Sequence, residues 1–409
     1  MRTQLNEFQQ RAVARFRERD HLVLNFATGA GKTLAALACA EDVKPQRILL
    51  LVAEKAHIDQ VWKAEIAKHG IDLEHVEIEA YHQWHARPKH GHYDLLIYDE
   101  AHLITPRVVS ILSQVRFGRT LWLTGTLEPE RMDRILSLCP DVDVLSVGLD
   151  ETTASGTTKA VDVLLVPVSG NTPHVFTKTI GRGSKPMLVT EVQARHLSGR
   201  QCVTIKGTFA HLYGQFSQLI RMYRSNENIR NRAGLMRKQL MVSLKSIALS
   251  RHFPDMVAWA RRNDKRILVW SMNKMSFRPL VRDPRLAEVL GSKPVFRRLA
   301  YYSDNPDRQR VYEAWLAGQR PFIYASKLLV TGANLPQEAD LFLAVSLEYK
   351  SLAGILQKLG RITRHGGTLV IPYVVGTKEE DVIAKLKRKL PKTWNVKTIS
   401  IDELSRRYR

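Results

Sequence analysis

A glycine-rich segment early in the sequence has the composition of a phosphate-binding loop. It reads Phe26-Ala-Thr-Gly-Ala-Gly-Lys-Thr33, follows an apolar run and opens a helix-like stretch. Glycines at such a turn let backbone N–H groups surround phosphate oxygens, and the helix N-terminus adds a favourable dipole. Lys32 would reach the β- and γ-phosphates of a nucleotide, and Thr33 would supply its hydroxyl to Mg²⁺. The other residues of the predicted phosphate loop are Thr28, Gly29, Ala30 and Gly31.

A second motif argues against the alternative of a chance glycine-rich turn. Asp99-Glu-Ala-His102 ends the apolar run Leu95-Leu-Ile-Tyr98, so its carboxylates lie at the end of a predicted strand. Asp99 would hold Mg²⁺ through water, and Glu100 would orient and deprotonate the attacking water. An acidic turn is common alone, but together with the phosphate loop this motif predicts ATP hydrolysis.

With these two motifs in this order, the sequence resembles superfamily 2 helicases and translocases. The phosphate loop is similar to motif I, and Asp99–His102 is similar to the DEAH form of motif II. Gln9, in Leu5-x-x-Phe8-Gln9, resembles the glutamine with which the family reads adenine. Val52-Ala-Glu-Lys55 together with Gln60-Val-Trp62 resembles motif Ia, and Ala80-Tyr-His-Gln83 resembles motif Ib. Thr124-Gly-Thr126 resembles motif III.

The second half of the sequence continues this resemblance. Ile267-Leu-Val-Trp270-Ser271 resembles motif IV, and the segment that begins Asp307-Arg-Gln-Arg310 resembles the helix before motif V. Leu328-x-x-Thr331-Gly332-Ala-Asn334-Leu-Pro336 resembles motif V. Gln357-Lys-Leu-Gly360-Arg361-Ile-Thr-Arg364 resembles motif VI. Asn334 stands where many relatives carry Asp, so a contact to the ribose would be a neutral hydrogen bond. The small size and the basic helical block after motif III are most similar to the phage UvsW and XPB-like branch.

The resemblance implies which residues act on ATP. A second-domain arginine that reaches the transferring phosphoryl group is worth about 10³–10⁵ in rate. Arg361 and Arg364 are three residues apart and therefore share one helical face. By resemblance they are the arginine fingers, Gln357 helps to position water beside Glu100, and Gly332 and Asn334 belong to the nucleotide site.

Other residues are implied to couple hydrolysis to a nucleic-acid strand or to contact that strand. The predicted coupling residues are His102, Thr124 and Thr126. The predicted nucleic-acid contacts are Lys55, Tyr81, His82, Ser271 and Thr331, with Arg230 and Arg237 from the basic block. Two alternatives stay open here, a zinc site formed by His82, His85, His90 and His92 and a core position for Trp84.

The elements that would position these residues alternate between short apolar runs and amphipathic stretches, as in parallel α/β layers. Strands are predicted at His21–Phe26, Arg47–Val52, Asp94–Tyr98, Thr120–Leu123, Ile267–Trp270, Phe322–Tyr324, Leu341–Val345 and Leu369–Val375, and a helix at Ala56–Lys68. We predict two tandem RecA-like domains of the α/β class. The expected divisions are an ATP-binding domain at 1–150, a linker and β-rich insertion at 151–208, a basic helical region at 209–262, a second RecA-like domain at 263–376 and a basic C-terminal helix or tail at 377–409.

The charge of the chain predicts an anionic partner. The 409 residues contain 62 Lys and Arg against 40 Asp and Glu, a net charge of +22. Residues 1–150 carry 18 basic and 21 acidic side chains, whereas Arg221–Arg266 alone carries 12 and 3. The excess therefore lies outside the predicted ATP-binding domain, and nucleic acid is the first candidate partner.

These features together predict an ATP- and Mg²⁺-dependent helicase or translocase that unwinds or remodels duplex or branched DNA. An RNA helicase and a non-processive, ATP-gated nucleic-acid clamp are the alternatives. No apolar run approaches the roughly 18 residues of a membrane span, and no signal peptide is visible. We expect a monomer without a membrane partner, located in the cytoplasm of a bacterial or phage-infected cell.

Overall fold

The computed structural model describes residues 4–71, 73, 75–86, 91–180, 203–326, 341–349, 351–363 and 366–409. Its strands are β1 His21–Phe26, β2 Ile48–Val52, β3 Val76–Ala80, β4 His92–Tyr98, β5 Arg116–Thr124, β6 Asp143–Val147, β7 Val161–Val168, β8 Val175–Ile180, β9 Val203–Thr208, β10 Arg266–Trp270, β11 Ala300–Tyr301, β12 Phe322–Ala325, β13 Leu341–Ser346, β14 Gly367–Val374 and β15 Val396–Thr398. Its helices are α1 Glu7–Glu18, α2 Lys32–Val43, α3 (Lys55–His57, the π-helical Ile58–Lys63 and Ala64–His69), α4 Tyr81–Trp84, α5 Pro106–Leu112, α6 Pro129–Leu136, α7 Leu149–Ala154, α8 Phe209–Met222, α9 Glu227–Ser250, α10 Phe253–Arg262, α11 Phe277–Leu280, α12 Arg285–Leu290, α13 Phe296–Leu299, α14 Arg308–Leu316, α15 Leu352–Ile362, α16 Lys378–Lys389 and α17 Ile401–Arg407.

The first domain is a six-stranded parallel sheet with strand order β3-β2-β4-β5-β1-β6. Strand β2 shows why this sheet is buried on both faces. Its residues Ile48, Leu50 and Val52 belong to one apolar core, and the alternate residues Leu49 and Leu51 belong to the core on the opposite face. Parallel sheets covered by helices on both sides have such continuous apolar strands. The predicted α/β class is confirmed.

The second domain is a seven-stranded parallel sheet with strand order β11-β12-β10-β13-β14-β7-β15. Apolar cores cover both of its faces as well. Strands β10, β12, β13 and β14 lie where the apolar runs of the second half predict them. Because the carboxyl ends of parallel strands share one edge of a sheet, motif residues at strand ends are brought close together within each domain.

The predicted domain boundaries need correction at both ends of the second domain. Strand β7 was expected in the 151–208 insertion, but it pairs with β14 and β15 inside the second sheet. Val163 and Leu165 enter one core, while Leu164 and Val166 enter the other. The expected tail at 377–409 supplies β15, α16 and α17 to the same domain. Burial on both faces holds these segments in the sheet, and the start of the expected linker forms helix α7.

The remaining part of the accessory region forms a small lobe beside the second sheet. Strands β8 and β9 pair antiparallel, which agrees with the β-rich insertion expected within 151–208. Helices α8 and α9 pack on this pair through a separate apolar core. The second half of α9 belongs to both cores, because Leu240 and Leu244 enter the core of the lobe while Val242 and Leu249 pack on the second sheet together with α10. The basic helical region is therefore helical as predicted but is divided between the lobe and the second domain.

Candidate active site

The phosphate loop joins the end of β1 to the first residue of α2. Gly29 and Gly31 have φ angles of +97° and +84°, which favour glycine. A Cβ atom on Gly31 would overlap the side-chain amide of Gln9. Gln9 is buried and donates from Nε2 to the carbonyl oxygen of Gly31 at 3.3 Å, while its Oε1 accepts from the backbone N–H of Asn6 at 2.9 Å. In this structure the Gln9 amide therefore supports the phosphate loop, and its contact to adenine stays a prediction.

Lys32 lies at the N-terminus of α2, where the predicted phosphate-binding lysine belongs. Its Nζ donates to the carbonyl oxygen of Phe26 at 3.1 Å. The turn of motif III lies against the same loop, since a Cβ atom on Gly125 would be 3.1 Å from Thr28 Oγ1 and 3.4 Å from Lys32 Nζ. Ala30 is buried and Thr33 is half-buried. The phosphate loop is thus folded around the Lys32 side chain in this structure.

The two carboxylates of motif II are half-buried and have different hydrogen-bond partners. Asp99 accepts from Trp62 Nε1 at 3.2 Å and from the backbone N–H of Glu100 at 2.9 Å. Trp62 lies in the π-helical segment of α3, a feature that often occurs at functional sites. Glu100 has a φ angle of +52°, an uncommon conformation for a residue other than glycine. Its carboxylate oxygen Oε2 lies 3.2 Å from His102 Nδ1.

The electrostatics of this pair suit a metal beside a base. Burial, together with the neighbouring charge of Glu100, raises the pKa of Asp99. Burial also acts to raise the pKa of Glu100, but the interaction with His102 and the charge of Lys32 outweigh it and lower that pKa. Glu100 is therefore the ionised member and can accept a proton. Asp99 is a half-buried carboxylate for which a divalent cation would supply the missing positive charge, so the residues fit Mg²⁺.

Helix α15, which carries motif VI, touches the first domain at two places. Gln357 Nε2 lies 3.3 Å from His102 Nε2, between residues 255 positions apart. Gly360 packs against Thr28, and a Cβ atom on Gly360 would overlap that side chain. A Cβ atom on Gly29 would lie 3.1 Å from Thr363 Oγ1, at the end of the same helix. The cleft between the two domains is thus lined by motifs I, II and VI.

The other predicted residues of the ATP site differ in how the structure places them. Arg361 is half-buried on α15, and its charge acts on the pKa of Tyr312, which burial raises to about 12. Thr124 donates from Oγ1 to the carbonyl oxygen of Thr126 at 2.7 Å and accepts from the Thr126 backbone N–H at 3.2 Å. This pair of bonds fixes the motif III turn. Thr331, Gly332, Asn334 and Arg364 lie outside the described residues.

The predicted nucleic-acid contacts of the first domain divide into exposed and stacked side chains. Lys55 and His82 are exposed. Tyr81 is half-buried and stacks on Tyr98 with ring centroids 4.7 Å apart. Trp84 is fully buried, so the alternative of a core position is confirmed for this residue. Of the predicted contacts in this domain, Lys55 and His82 are therefore the two that face solvent.

In the second domain and the accessory lobe the predicted contacts are similarly divided. Ser271 is 3% exposed, and its hydroxyl lies 3.1 Å from Ser276 Oγ. Its side chain is therefore used inside the domain, in contrast to the prediction of a strand contact. Arg237 lies over the Tyr213 ring at 5.5 Å and donates to Ser217 Oγ at 3.3 Å, so it joins α9 to α8. Arg230 on α9 is exposed.

Two further findings concern metals and membranes. Across the part of the chain that the structure describes, no group of three or more His, Cys, Asp or Glu side chains is arranged to hold a metal; His90, of the suggested zinc site, lies outside that part. No helix within the described ranges is long and apolar enough to span a bilayer.

Comparison with known proteins supports the resemblance drawn from the motifs. Residues 2–83 match the family described as "Type III restriction enzyme, res subunit". The fold is similar to the Pyrococcus furiosus Hef helicase domain, with a TM-score of 0.54 and 14% identity over 94% of this chain and 98% of that chain. It is also similar to S. cerevisiae Dbp5 bound to RNA and ADP BeF3, with a TM-score of 0.57 and 10% identity over 98% of this chain and 92% of that chain. No curated protein sequence matches the chain. Together with the two parallel sheets, these likenesses confirm the tandem RecA-like fold.

Proposed function

We propose that this chain is a superfamily 2 helicase or translocase that hydrolyses ATP in the cleft between its two domains. The observation that supports this proposal most directly is that α15 contacts the first domain at two places across that cleft. Gln357 meets His102, and Gly360 packs on Thr28 of the phosphate loop. An enzyme that completes its ATP site from a second domain can convert hydrolysis into relative movement of the two domains.

Each residue of the cleft has a role in the proposed reaction. Lys32 and the backbone N–H groups of the phosphate loop bind the β- and γ-phosphates. Glu100, the ionised carboxylate, orients the attacking water and accepts its proton, and Gln357 helps to place that water. Arg361 and Arg364 stabilise the charge that develops on the transferring phosphoryl group.

The nucleotide and metal contacts complete the site. Thr33 and Asp99 would hold Mg²⁺, which neutralises charge on the phosphates when it is bound. Gly332 and Asn334 would contact the nucleotide from the second domain. Asp99 is already oriented for this task, because Trp62 and the Glu100 backbone donate to both of its oxygens.

Nucleic acid is the proposed partner, and DNA is the proposed substrate. The domains would grip the backbone at two places, so that opening and closing of the cleft becomes a step along the strand. His102, Thr124 and Thr126 would couple the two sites. The exposed Lys55 and His82 would contact the strand. Binding should depend on phosphate contacts and therefore weaken with salt.

The finer assignments belong to the same proposal. The charge distribution and the accessory block favour the phage UvsW and XPB-like branch, acting as a monomer on duplex, branched or single-stranded DNA. An RNA helicase differs only in substrate. A non-processive clamp is disfavoured by the combination of Lys32, Glu100 and the motif VI arginines, since binding alone does not need a catalytic set.

A comparison of ATPase and strand separation tests the proposal. We expect single-stranded or forked DNA to raise the ATPase rate of the wild type and ATP to drive strand displacement. Lys32→Ala should lose both, whereas Lys68→Ala, at an exposed lysine of the same domain, should keep both. A panel of DNA and RNA strands identifies the substrate.

The outcomes separate the candidates. Stimulation by RNA alone would replace DNA in the proposal, and ATP-dependent binding without displacement or translocation would support the clamp. The absence of stimulation by every nucleic acid would refute the helicase function.

A further inference from the structure

Helix α9 carries exposed arginines of the accessory lobe, yet two of its lysines are tied into the second domain. Lys245 is fully buried and pairs with Glu379 at 2.6 Å. Glu379 also accepts from the Val374 backbone N–H at 2.9 Å. About two turns earlier on α9, Lys238 pairs with Glu348, whose side chain is 6% exposed. Buried pairs of this kind hold a fixed geometry because an unpaired charge there is costly.

Glu348 is the point at which several contacts meet. Besides Lys238, its carboxylate accepts from the backbone N–H of Met272 at 2.7 Å, just after motif IV. Its backbone carbonyl accepts from Lys358 Nζ, and Lys358 donates to Ser346 Oγ at 2.8 Å as well. The residue thus joins α9, the motif IV loop and α15.

The same contacts lead to the catalytic carboxylate. Lys358 is the neighbour of Gln357 in α15. Gln357 contacts His102 across the cleft at 3.3 Å, and His102 Nδ1 lies 3.2 Å from Glu100 Oε2. Polar contacts on either side of the consecutive residues Gln357 and Lys358 therefore link Lys238 on the basic helix to the residue that would activate water.

A cavity in the cleft between the two domains lies next to these polar contacts. It has a volume of about 320 Å³ and is lined from the first domain by His102 and Leu103, and from the other side by Lys238, Met272 and Glu348. Leu103 and Met272 are 44% and 52% exposed. Because the walls come from both domains, opening of the cleft changes the cavity while the Lys238–Glu348 pair stays within one domain and its lobe.

We propose that Glu348 is a positioning residue that transmits strand binding at α9 to the ATP site. The Lys238–Glu348 pair sets the position of α9 relative to α15, and α15 places Gln357 against His102. A nucleic-acid strand bound to the exposed face of α9 would restrict the position of α9. Through the Lys238–Glu348 pair it would then hold α15 in the arrangement that supports water activation. This inference rests on the proposed function, because it concerns the step between strand binding and hydrolysis.

The prediction is a loss of stimulation without a loss of the ATP site. For Lys238→Gln and Glu348→Gln we expect basal kcat within about twofold of wild type and at least a fivefold smaller stimulation at saturating single-stranded DNA. The dissociation constant for DNA, measured at two salt concentrations, should change less than about threefold. The double variant should lose no more than either single variant, since contacting residues are not additive.

Two controls separate positioning from charge and from folding. Lys387→Gln removes one positive charge from an exposed lysine of α16 and should keep full stimulation. Lys238→Arg retains the ion pair and should recover most of the stimulation. Thermal unfolding of each variant shows whether the domain is intact at the assay temperature.

The results distinguish this inference from the proposed function. A wild type that no nucleic acid stimulates contradicts the proposed function itself. A stimulated wild type with equally stimulated Lys238→Gln and Glu348→Gln variants overturns the positioning role alone. Equal losses in basal and stimulated rates would also overturn it, because they indicate a merely structural contribution.

Discussion

The contact between Gly360 and Thr28 predicts that one methyl group can separate ATPase activity from stability. Gly360 lies within α15, where an alanine has no conformational cost. A Cβ atom there would overlap Cβ and Cγ2 of Thr28 and lie 3.1 Å from the Thr28 carbonyl carbon. Thr28 belongs to the phosphate loop and has little freedom to yield. Gly360→Ala should therefore hold α15 away from the ATP site.

The magnitude follows from the size of the overlap. Inserting a methyl group into a packed contact costs about 1–3 kcal/mol, which corresponds to a factor of about 5–150 in the population of the closed cleft. In the proposed mechanism the motif VI arginines act only from that closed arrangement. We therefore expect nucleic-acid-stimulated kcat to fall by about 5- to 150-fold, while ATP binding by the phosphate loop changes much less.

The matched control lies in the same helix. A Cβ atom on Gly354 would meet only Ser351 Oγ, at 3.8 Å. Replacing a helical glycine by alanine where there is space stabilises by about 0.5–1 kcal/mol, so Gly354→Ala should raise the unfolding temperature and keep its activity. Gly360→Ala should not unfold more easily than wild type, because opening of the cleft relieves the overlap.

Steady-state ATPase with saturating DNA, ATP affinity and thermal unfolding together check this reasoning. In a Thr28→Gly background, which removes the overlapping atoms, Gly360→Ala should cost less than about twofold relative to Thr28→Gly alone. Wild-type kcat in Gly360→Ala would refute the claim that the closed contact seen here is the active one. An equal loss in Gly354→Ala would show that the helix, and not the contact, is responsible.

Two stability predictions follow from buried lysines of the second domain. Lys245→Met should destabilise the protein by about 3–5 kcal/mol in urea unfolding because it leaves Glu379 buried without its partner. Adding Glu379→Gln should recover part of that loss. An unchanged urea midpoint in Lys245→Met would contradict the stabilising role of this buried ion pair. Burial lowers the pKa of Lys358 from its ordinary 10.5 to about 7, so the unfolded chain binds a proton that the folded protein releases between these values. The stability of wild type relative to Lys358→Met should therefore rise with pH from about 7 to 10, by up to about 1.4 kcal/mol per unit, and a difference that stays constant across this range would argue against the shift.

The strands show how far sequence patterns predict this fold. Strand β1 spans the predicted His21–Phe26, because a central parallel strand is a largely apolar run. Strands β3 and β6 were not predicted, and they form the two edges of the first sheet. Edge strands are covered on fewer sides, so β3 alternates Val76, Glu77, Ile78 and Glu79 instead of forming an apolar run. Strand β7 is apolar enough to be predicted, but its membership of the second sheet depends on pairing with β14, whose residues lie 206 positions further along the chain (Val161 pairs with Gly367).

The candidate site shows the same division between local and long-range information. Motif spacing predicts the phosphate loop and the Asp99–Glu100 pair, since each is formed by neighbouring residues. The approach of Gln357 to His102 and the support of Asp99 by Trp62 depend on how separate elements pack. The resemblance assigns Gln357 to the ATP site, whereas its contact with His102 is known only from the structure. Trp62 was noted only as part of motif Ia, and because it lies 37 positions from Asp99 in the chain, the sequence pattern does not indicate their hydrogen bond.

The charge of the accessory block likewise has a different meaning once the residues are located. The block carries 12 basic and 3 acidic side chains, which alone suggests a large phosphate-binding surface. Lys238 and Lys245 are instead paired with Glu348 and Glu379, acids from outside the block, and Arg237 packs on α8. The exposed cations that remain toward the α8–α9 turn are Arg221, Arg224, Arg230 and Arg232. Because α9 presents Arg230 and Arg232 to solvent and Lys238 and Lys245 to the second domain, a strand held by these two arginines would act directly on the position of the two lysines. This is the physical basis of the proposed link between strand binding and the ATP cleft.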